Sequence, residues 1–254
     1  MAKGFRVVVA AVFLCVIGSA ASAAETVSLK VGYQQLSPSG ELAAEVNGFG
    51  TRIDVEDDLD LGDSEGIIVE AAVSLGDFKL TVGYLPLSYE GSSVLSRSIL
   101  FDDETYTVGS TIESSLDLDI FDVGLTWFFI NMDDIPVRLQ LGLEFAVKIT
   151  DAEASLVDST TGVSESVSGI LPIPTIGLRG RVALSDYIGI NGRLGYLGYS
   201  GNHFMDGDVQ IEFSPIPMVG IFAGYRYLDI EIDESDVFVD ADFSGFYSGV
   251  LVRF

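Results

Sequence analysis

One imidazole, a run of carboxylates and a single thiol are the groups in this chain whose types could do chemistry. His203, the only histidine among 254 residues, stands in Gly201-Asn202-His203-Phe204-Met205. An imidazole becomes a general base when a nucleophile and an orienting carboxylate are held within hydrogen-bond reach. Two residues to either side stand Gly201 and Met205, which offer neither an aspartate nor a serine. His203 is therefore expected to be a loop-tip residue, and no catalytic residue is assigned. The stretch Asp54 to Glu65 is dense in carboxylates, the ligands that Ca²⁺ prefers, yet Asp58-x-Asp60-x-Gly62 lacks the third ligand that precedes the glycine of an EF-hand loop. A solvated acidic loop is expected there, with no metal site and no cofactor. Cys15, the only cysteine, lies in an apolar N-terminal run behind Leu14, which is not the small residue a lipoprotein signal needs. No disulfide or thiolate site is expected in the mature chain.

The cations are more informative, because they recur at alternate positions. Lys30, Lys79, Arg138, Lys148, Arg179, Arg181, Arg193, Arg226 and Arg253 all alternate with apolar neighbours, as do the carboxylates Glu70, Asp122, Glu144 and Glu212. A period of two places successive side chains on opposite faces of a β-strand. The stretch from Val137 to Ile149 reads most clearly: Val137, Leu139, Leu141, Leu143, Phe145, Val147 and Ile149 share one face, and Arg138, Gln140, Gly142, Glu144, Ala146 and Lys148 the other. Similar segments begin at Val27, Ile67 and Phe78, end near Ile130, and recur at Ile176–Leu184, Ile188–Tyr196, Val209–Phe213, Val219–Tyr227 and Phe246–Phe254.

Register can be tested from turns. Gly76-Asp77, with glycine first, suits a two-residue type II′ hairpin, which sets Leu75 opposite Phe78, Val73 opposite Leu80 and Glu70 opposite Gly83. A turn that pairs Phe129 with Val137 would set Asp122 opposite Glu144. A three-residue turn after Leu184 would set Arg179 opposite Arg193. Like charges facing each other need neutralising neighbours, and Glu144 with Arg179 or Arg181 could supply them.

Mean hydropathy is +0.40, yet beyond the N-terminus no run of about 18 to 20 apolar residues could cross a bilayer as a helix. Strands that alternate apolar and polar residues reconcile the two facts. The expected fold is a closed antiparallel up-and-down transmembrane β-barrel of about ten strands, with eight or twelve left open. Aromatics fall toward both strand ends: Phe78, Trp127, Phe129, Tyr187 and Phe254 at one, Tyr33, Tyr84, Tyr196, Tyr225 and Tyr227 at the other, as two interfacial belts require. At the N-terminus, Lys3 and Arg6, the apolar run Val7 to Ile17 and Ala21-Ser22-Ala23 form a secretory signal. The domains read as 1–23, a cleaved signal peptide, and 24–254, the barrel. With Lys3 and Arg6 removed, 11 basic residues face 38 acidic ones, which excludes nucleic acid as a partner.

The stripe Val250, Val252, Phe254 resembles the assembly signal of Gram-negative outer-membrane barrels, which implies the barrel-assembly machinery as a partner during biogenesis. TRIDVEDDLDLG (Thr51 to Gly62) and YLPLSYEG (Tyr84 to Gly91) resemble an uncharacterised family of bacterial outer-membrane barrel proteins, over roughly the first half of the mature chain. That family implies fold and outer-membrane location and brings no reaction or ligand. Around His203 the chain departs from outer-membrane enzymes. Lipid-A deacylases and outer-membrane phospholipases place a serine where Met205 stands, although Asn202 precedes the histidine as in the phospholipases. Omptin proteases place an aspartate where Gly201 stands. The expectation is a non-enzymatic barrel whose lumen is packed by Glu70, Asp122, Arg138, Glu144, Lys148, Arg179, Arg181, Arg193 and Arg226. Its partners are outer-membrane lipid and lipopolysaccharide, the latter through acidic loops and bridging divalent cations. The alternative is a narrow passive channel for small solutes, or for apolar molecules as in OmpW-like barrels.

Overall fold

Among the described residues, alternation of apolar and polar side chains is realised as thirteen strands, most of them long. The computed structural model describes residues 27–44, 51–101, 104–132, 138–216, 218–234 and 237–254; the expected signal peptide, with Cys15, lies outside them. In chain order the strands are β1 (Val27–Ala44), β2 (Ile53–Asp54), β3 (Ser64–Leu75), β4 (Phe78–Val94), β5 (Ile99–Phe101), β6 (Glu104–Tyr106) and β7 (Thr111–Met132), then β8 (Arg138–Asp158), β9 (Ser164–Ala183), β10 (Ile188–Tyr199), β11 (Asn202–Ile216), β12 (Val219–Glu234) and β13 (Val237–Arg253). Ten of them, β1, β3, β4 and β7 to β13, form one antiparallel wall, and β13 closes it by pairing with β1 from Ser28↔Arg253 to Ala44↔Val237. Closure leaves the wall without an open edge, so every strand has a partner on both sides. Eight strands are ruled out because β11 and β12 pair along their length within the wall. Twelve are ruled out because β5 and β6 form a separate two-stranded sheet.

Short turns join β3 to β4, β9 to β10 and β11 to β12 at the end where Val27 and Phe254 meet, here the near end. The long connections after β1 and β4 lie at the opposite, far end. The Gly76 hairpin has the expected register, Leu75↔Phe78, Val73↔Leu80 and Glu70↔Gly83. Gly76 has φ 61° and Asp77 keeps a negative φ, the II′ pattern. Arg179 does stand opposite Arg193.

The β7–β8 register corrects the sequence reading. β7 continues to Met132, and Phe128↔Gly142 is followed by Ile130↔Leu141, so Phe129 is a bulged extra residue. Asp122 consequently faces Lys148, not Glu144, and Glu144 faces Thr126. The shift is an even number of residues, so every side chain keeps its face while a like-charge pair becomes an opposite-charge one.

Outward side chains form an apolar band. On β7 it runs from Phe121 through Val123, Leu125 and Trp127 to Phe129, the last four more than two-fifths exposed. That is about 27 Å along the strand at about 3.4 Å per residue, or about 20 Å of height at a ~40° tilt, close to the band of a membrane-spanning barrel. Beyond Phe121 the outward positions become Asp119 and Asp117, while Leu116, Leu118 and Ile120 point inward and are buried. β12 repeats this change: Tyr225 and Tyr227 give way outward to Asp229 and Glu231, and Leu228 is buried inside. In its far part the barrel is therefore built like a water-soluble one, polar outside and apolar within.

The segment expected to be a solvated acidic loop fills that far half. Ile53, Val55, Leu59 and Leu61 are at most 7% exposed and pack with Leu36, Leu87, Tyr89, Leu116, Leu118 and Phe243, and with Leu95, Ile99 and Tyr106 of the connection that carries β5 and β6. Of its carboxylates Glu56, Asp57, Asp60, Asp63 and Glu65 are exposed, while Asp54 is partly buried and Asp58 buried. Apolar residues alternate through the acidic run, and burying four such side chains contributes on the order of 10 kcal/mol gross before loop ordering is charged against it. Asp54 shapes the turn by accepting the N–H groups of Glu56 at 2.9 Å and Asp57 at 2.8 Å. Asp58 is buried against Arg97 at 2.5 Å, which ties the loop to the next far-end connection. At the far end of β8, burial pushes the Asp158 carboxyl up, but the N–H groups of Thr160 and Thr161 and the hydroxyls of Ser110 and Thr161 outweigh it and hold its pKa at about 2.

Candidate functional site

The near half of the lumen is lined by charge, and its geometry follows from the registers above. Lys148 on β8 lies opposite Asp122 on β7 and contacts it at 2.9 Å, and its ammonium also meets Asp206 of β11 at 2.5 Å. Arg193 on β10 reaches four carboxylates: Asp122, Asp206 at 2.7 Å, Asp208 at 3.2 Å and Glu144 at 3.9 Å. Its side chain is 9% exposed and that of Asp206 only 2%. A guanidinium presents several donors in a planar fork, which lets one side chain bridge three strands in this way. Arg179 donates through Nε to Glu144, which also accepts from the Thr126 hydroxyl at 3.0 Å.

A second cluster sits closer to the near end. Glu212 on β11 takes Lys30 at 3.3 Å, Arg181 at 3.7 Å and Arg253, and Gln210 donates to it at 2.7 Å. Lys30 also pairs with Glu70 at 3.6 Å. Tyr247 donates to Asp208 at 2.9 Å, and Arg226 lies 5.4 Å from the Tyr247 ring centre.

The structure thus brings Asp122, Glu144, Lys148, Arg179 and Arg193 into one network, and Glu70 and Arg181 into the neighbouring one. Arg138 belongs to neither: it is half-exposed at the near rim, where it meets Asp186 of the β9–β10 turn at 3.7 Å. Arg226 faces the lumen with no ion pair among the described residues. Val250 and Phe254 are exposed on the outer face. Sequence reasoning missed Asp206 and Asp208, two of the four carboxylates around Arg193. The signal was there: continuing the outward series Val209, Ile211, Phe213 back to Gly207 and Met205 assigns Asp206 and Asp208 to the inward face.

His203 is not at a loop tip. It lies within β11 beside the Ser200-Gly201 turn, where φ is 55° and 94°, and it points to the outer face. Nε2 is 3.0 Å from Asp229, Nδ1 is 2.8 Å from Glu231, and the ring stacks on Tyr196. It does not line the lumen cavity.

That cavity has a volume of about 810 Å³. Ser74, Gly76, Asn131, Arg138 and Ala183 line it at the near end, and Leu85, Ile120 and Leu228 roof it. The same three residues belong to the apolar cluster that fills the far half. The lumen is therefore a chamber open at the near end and closed by packed apolar side chains at the other. Fixed cations and carboxylates around a water-accessible chamber can bind ions or polar solutes by charge and hydrogen bonding.

No family profile and no curated protein sequence matches the chain. Among solved structures it is similar to the outer membrane protease OmpT from Escherichia coli, with 12% identity and a TM-score of 0.58, covering 93% of this chain and 99% of that one. It is also similar to the translocator domain of autotransporter NalP from Neisseria meningitidis, with 14% identity and a TM-score of 0.42, over 100% of this chain and 98% of that one. Wall closure, strand number and the likeness to OmpT define the class: an all-β, closed, antiparallel ten-stranded barrel of the outer-membrane type.

Proposed function

We propose that the chain is an outer-membrane barrel that closes rather than conducts, a structural or membrane-interacting protein of Gram-negative bacteria. The observation that carries this reading is the apolar filling of the far half, where Ile53, Val55, Leu59 and Leu61 pack against the inward faces of the wall. Outward apolar residues between two aromatic belts support residence in a bilayer. The acidic outer rim above the far belt, including Asp117, Asp119, Asp229 and Glu231, supports contact with lipopolysaccharide through divalent cations. The outward stripe Val250, Val252, Phe254 supports handling by the barrel-assembly machinery. His203, held between Asp229 and Glu231 outside the lumen, supports a non-enzymatic reading.

Planar-bilayer recording tests the proposal. The intact protein is expected to show no steady conductance, whereas Val55→Asp with Leu59→Asp, which place charges in the apolar filling, should open frequent current steps. Steady open-channel current from the intact protein would overturn the closed reading in favour of a passive conduit.

A further inference from the structure

Charge within the chamber is unevenly distributed. In its deeper part Asp122, Asp206 and Asp208 surround Lys148 and Arg193, with Arg226 opposite Asp208 in the register, so cations and carboxylates are balanced there. Toward the near end cations outnumber carboxylates. Lys30, Lys79, Arg179, Arg181 and Arg253 line that part against the lumen carboxylates Glu70, Glu144 and Glu212, while Arg138 at the rim is paired with Asp186. Glu212 is already shared by three cations. In a chain with a formal net charge of −25, a positive mouth is not a by-product of composition.

Two cations there are incompletely partnered by carboxylates. Lys79 lines the chamber and has no ion pair among the described residues. Arg179 gives Nε to Glu144, while its Nη2 is buried without a hydrogen-bond partner in the protein. Nε of Arg226, on another part of the wall, is in the same condition. Clustered cations in a low-dielectric chamber repel one another, and an anion that reaches them gains charge-assisted hydrogen bonds.

We propose that the near half of the lumen is a binding site for a small multivalent oxyanion, a phosphate or polycarboxylate compound admitted from the near end, gripped by Lys79 and Arg179. Arg226, on a different part of the wall, adds attraction. Multivalency follows from the surplus of cations over carboxylates, and small size from a chamber of about 810 Å³ that ends at Leu85, Ile120 and Leu228. The inference goes beyond the closed-barrel reading and needs only the chamber, not the seal. Anion titration and bilayer conductance therefore fail independently.

The test is thermal unfolding and calorimetric titration of the full barrel refolded in zwitterionic detergent. Inorganic phosphate and citrate form separate arms, each compared with sodium chloride at matched ionic strength. Expected is a saturable rise in unfolding temperature and measurable heat with phosphate, citrate or both; the stronger arm identifies phosphate or polycarboxylate chemistry. Lys79→Gln, which breaks no ion pair, should fold normally and weaken binding by about tenfold or more, as loss of a buried charge partner does, and Lys79→Arg should retain it. Arg226→Gln is a second variant expected to weaken binding in the same direction. The proposal is overturned if phosphate and citrate act no differently from chloride, or if Lys79→Gln and Arg226→Gln bind as the parent does.

Discussion

Replacing Arg193 by leucine is the most demanding test of the lumen network. The guanidinium contacts Asp122, Asp206 and Asp208 directly and lies 3.9 Å from Glu144. Removing it leaves Asp122, Asp206 and Asp208 around one remaining cation, Lys148, which reaches only the first two. Taking one partner from a buried, hydrogen-bonded charge cluster costs about 3–5 kcal/mol, because the stranded charges keep their desolvation penalty. Arg193→Leu should therefore lose about 3–5 kcal/mol of stability. Removing a carboxylate as well relieves part of that penalty, so Arg193→Leu/Asp206→Leu should recover about 1–3 kcal/mol relative to the sum of the single changes. Urea unfolding in detergent micelles measures this, with Trp127, the only tryptophan, as the fluorescent reporter on the outer face. A loss below about 1 kcal/mol for Arg193→Leu, well under the cost of stranding buried charges, or strict additivity in the double variant, would refute the view that these charges are mutually dependent.

Three further outcomes are expected. The Asp158 carboxyl is held at about 2 against an ordinary 3.8, a depressed value, so the stabilisation it gives the β8–β9 hairpin is complete above about pH 4 and lost as pH falls toward 2. Pepsin cleavage of that hairpin should rise across this window, and Asp158→Asn should flatten the rise. At Gly177 an added Cβ would lie 1.9 Å from the Leu194 carbonyl oxygen, whereas at Gly169 nothing lies within 4 Å. Gly177→Ala should then cost about 1–3 kcal/mol in urea unfolding through forced strand separation, and Gly169→Ala should leave stability unchanged. Phe254→Ala should lower the amount of assembled barrel in cell membranes while the purified variant still refolds in micelles; undiminished assembly would remove Phe254 from the assembly signal.

Much of the wall was legible residue by residue. The alternation from Val137 to Ile149 assigns Glu144 and Lys148 to the lumen, and the Gly76-Asp77 turn sets the β3–β4 register, because one residue of slip would turn a whole apolar face the wrong way. The far half was misread for a related reason. In Leu116-Asp117-Leu118-Asp119-Ile120 the apolar residues occupy even positions, while from Val123 to Phe129 they occupy odd ones. The two-residue rhythm continues unbroken along the strand, but the surroundings change from bilayer-like band to polar rim, and with them the face that apolar residues must take. The acidic run from Asp54 to Glu65 concealed its buried Val55, Leu59 and Leu61 by the same logic of interleaving.

By itself, the sequence determined that this chain is a barrel and which face most charged side chains of its near half occupy, since period-two patterning acts locally and needs no knowledge of partners. Only the tertiary structure decided who meets whom: the bulge at Phe129 gave Asp122 to Lys148, the curled wall brought Asp122 of β7 to Arg193 of β10, and the folded-in loop turned a tube into a one-ended chamber. Those outcomes depend on turn lengths, register and the path of a connection across the lumen, which are properties of contacts between segments far apart in the chain.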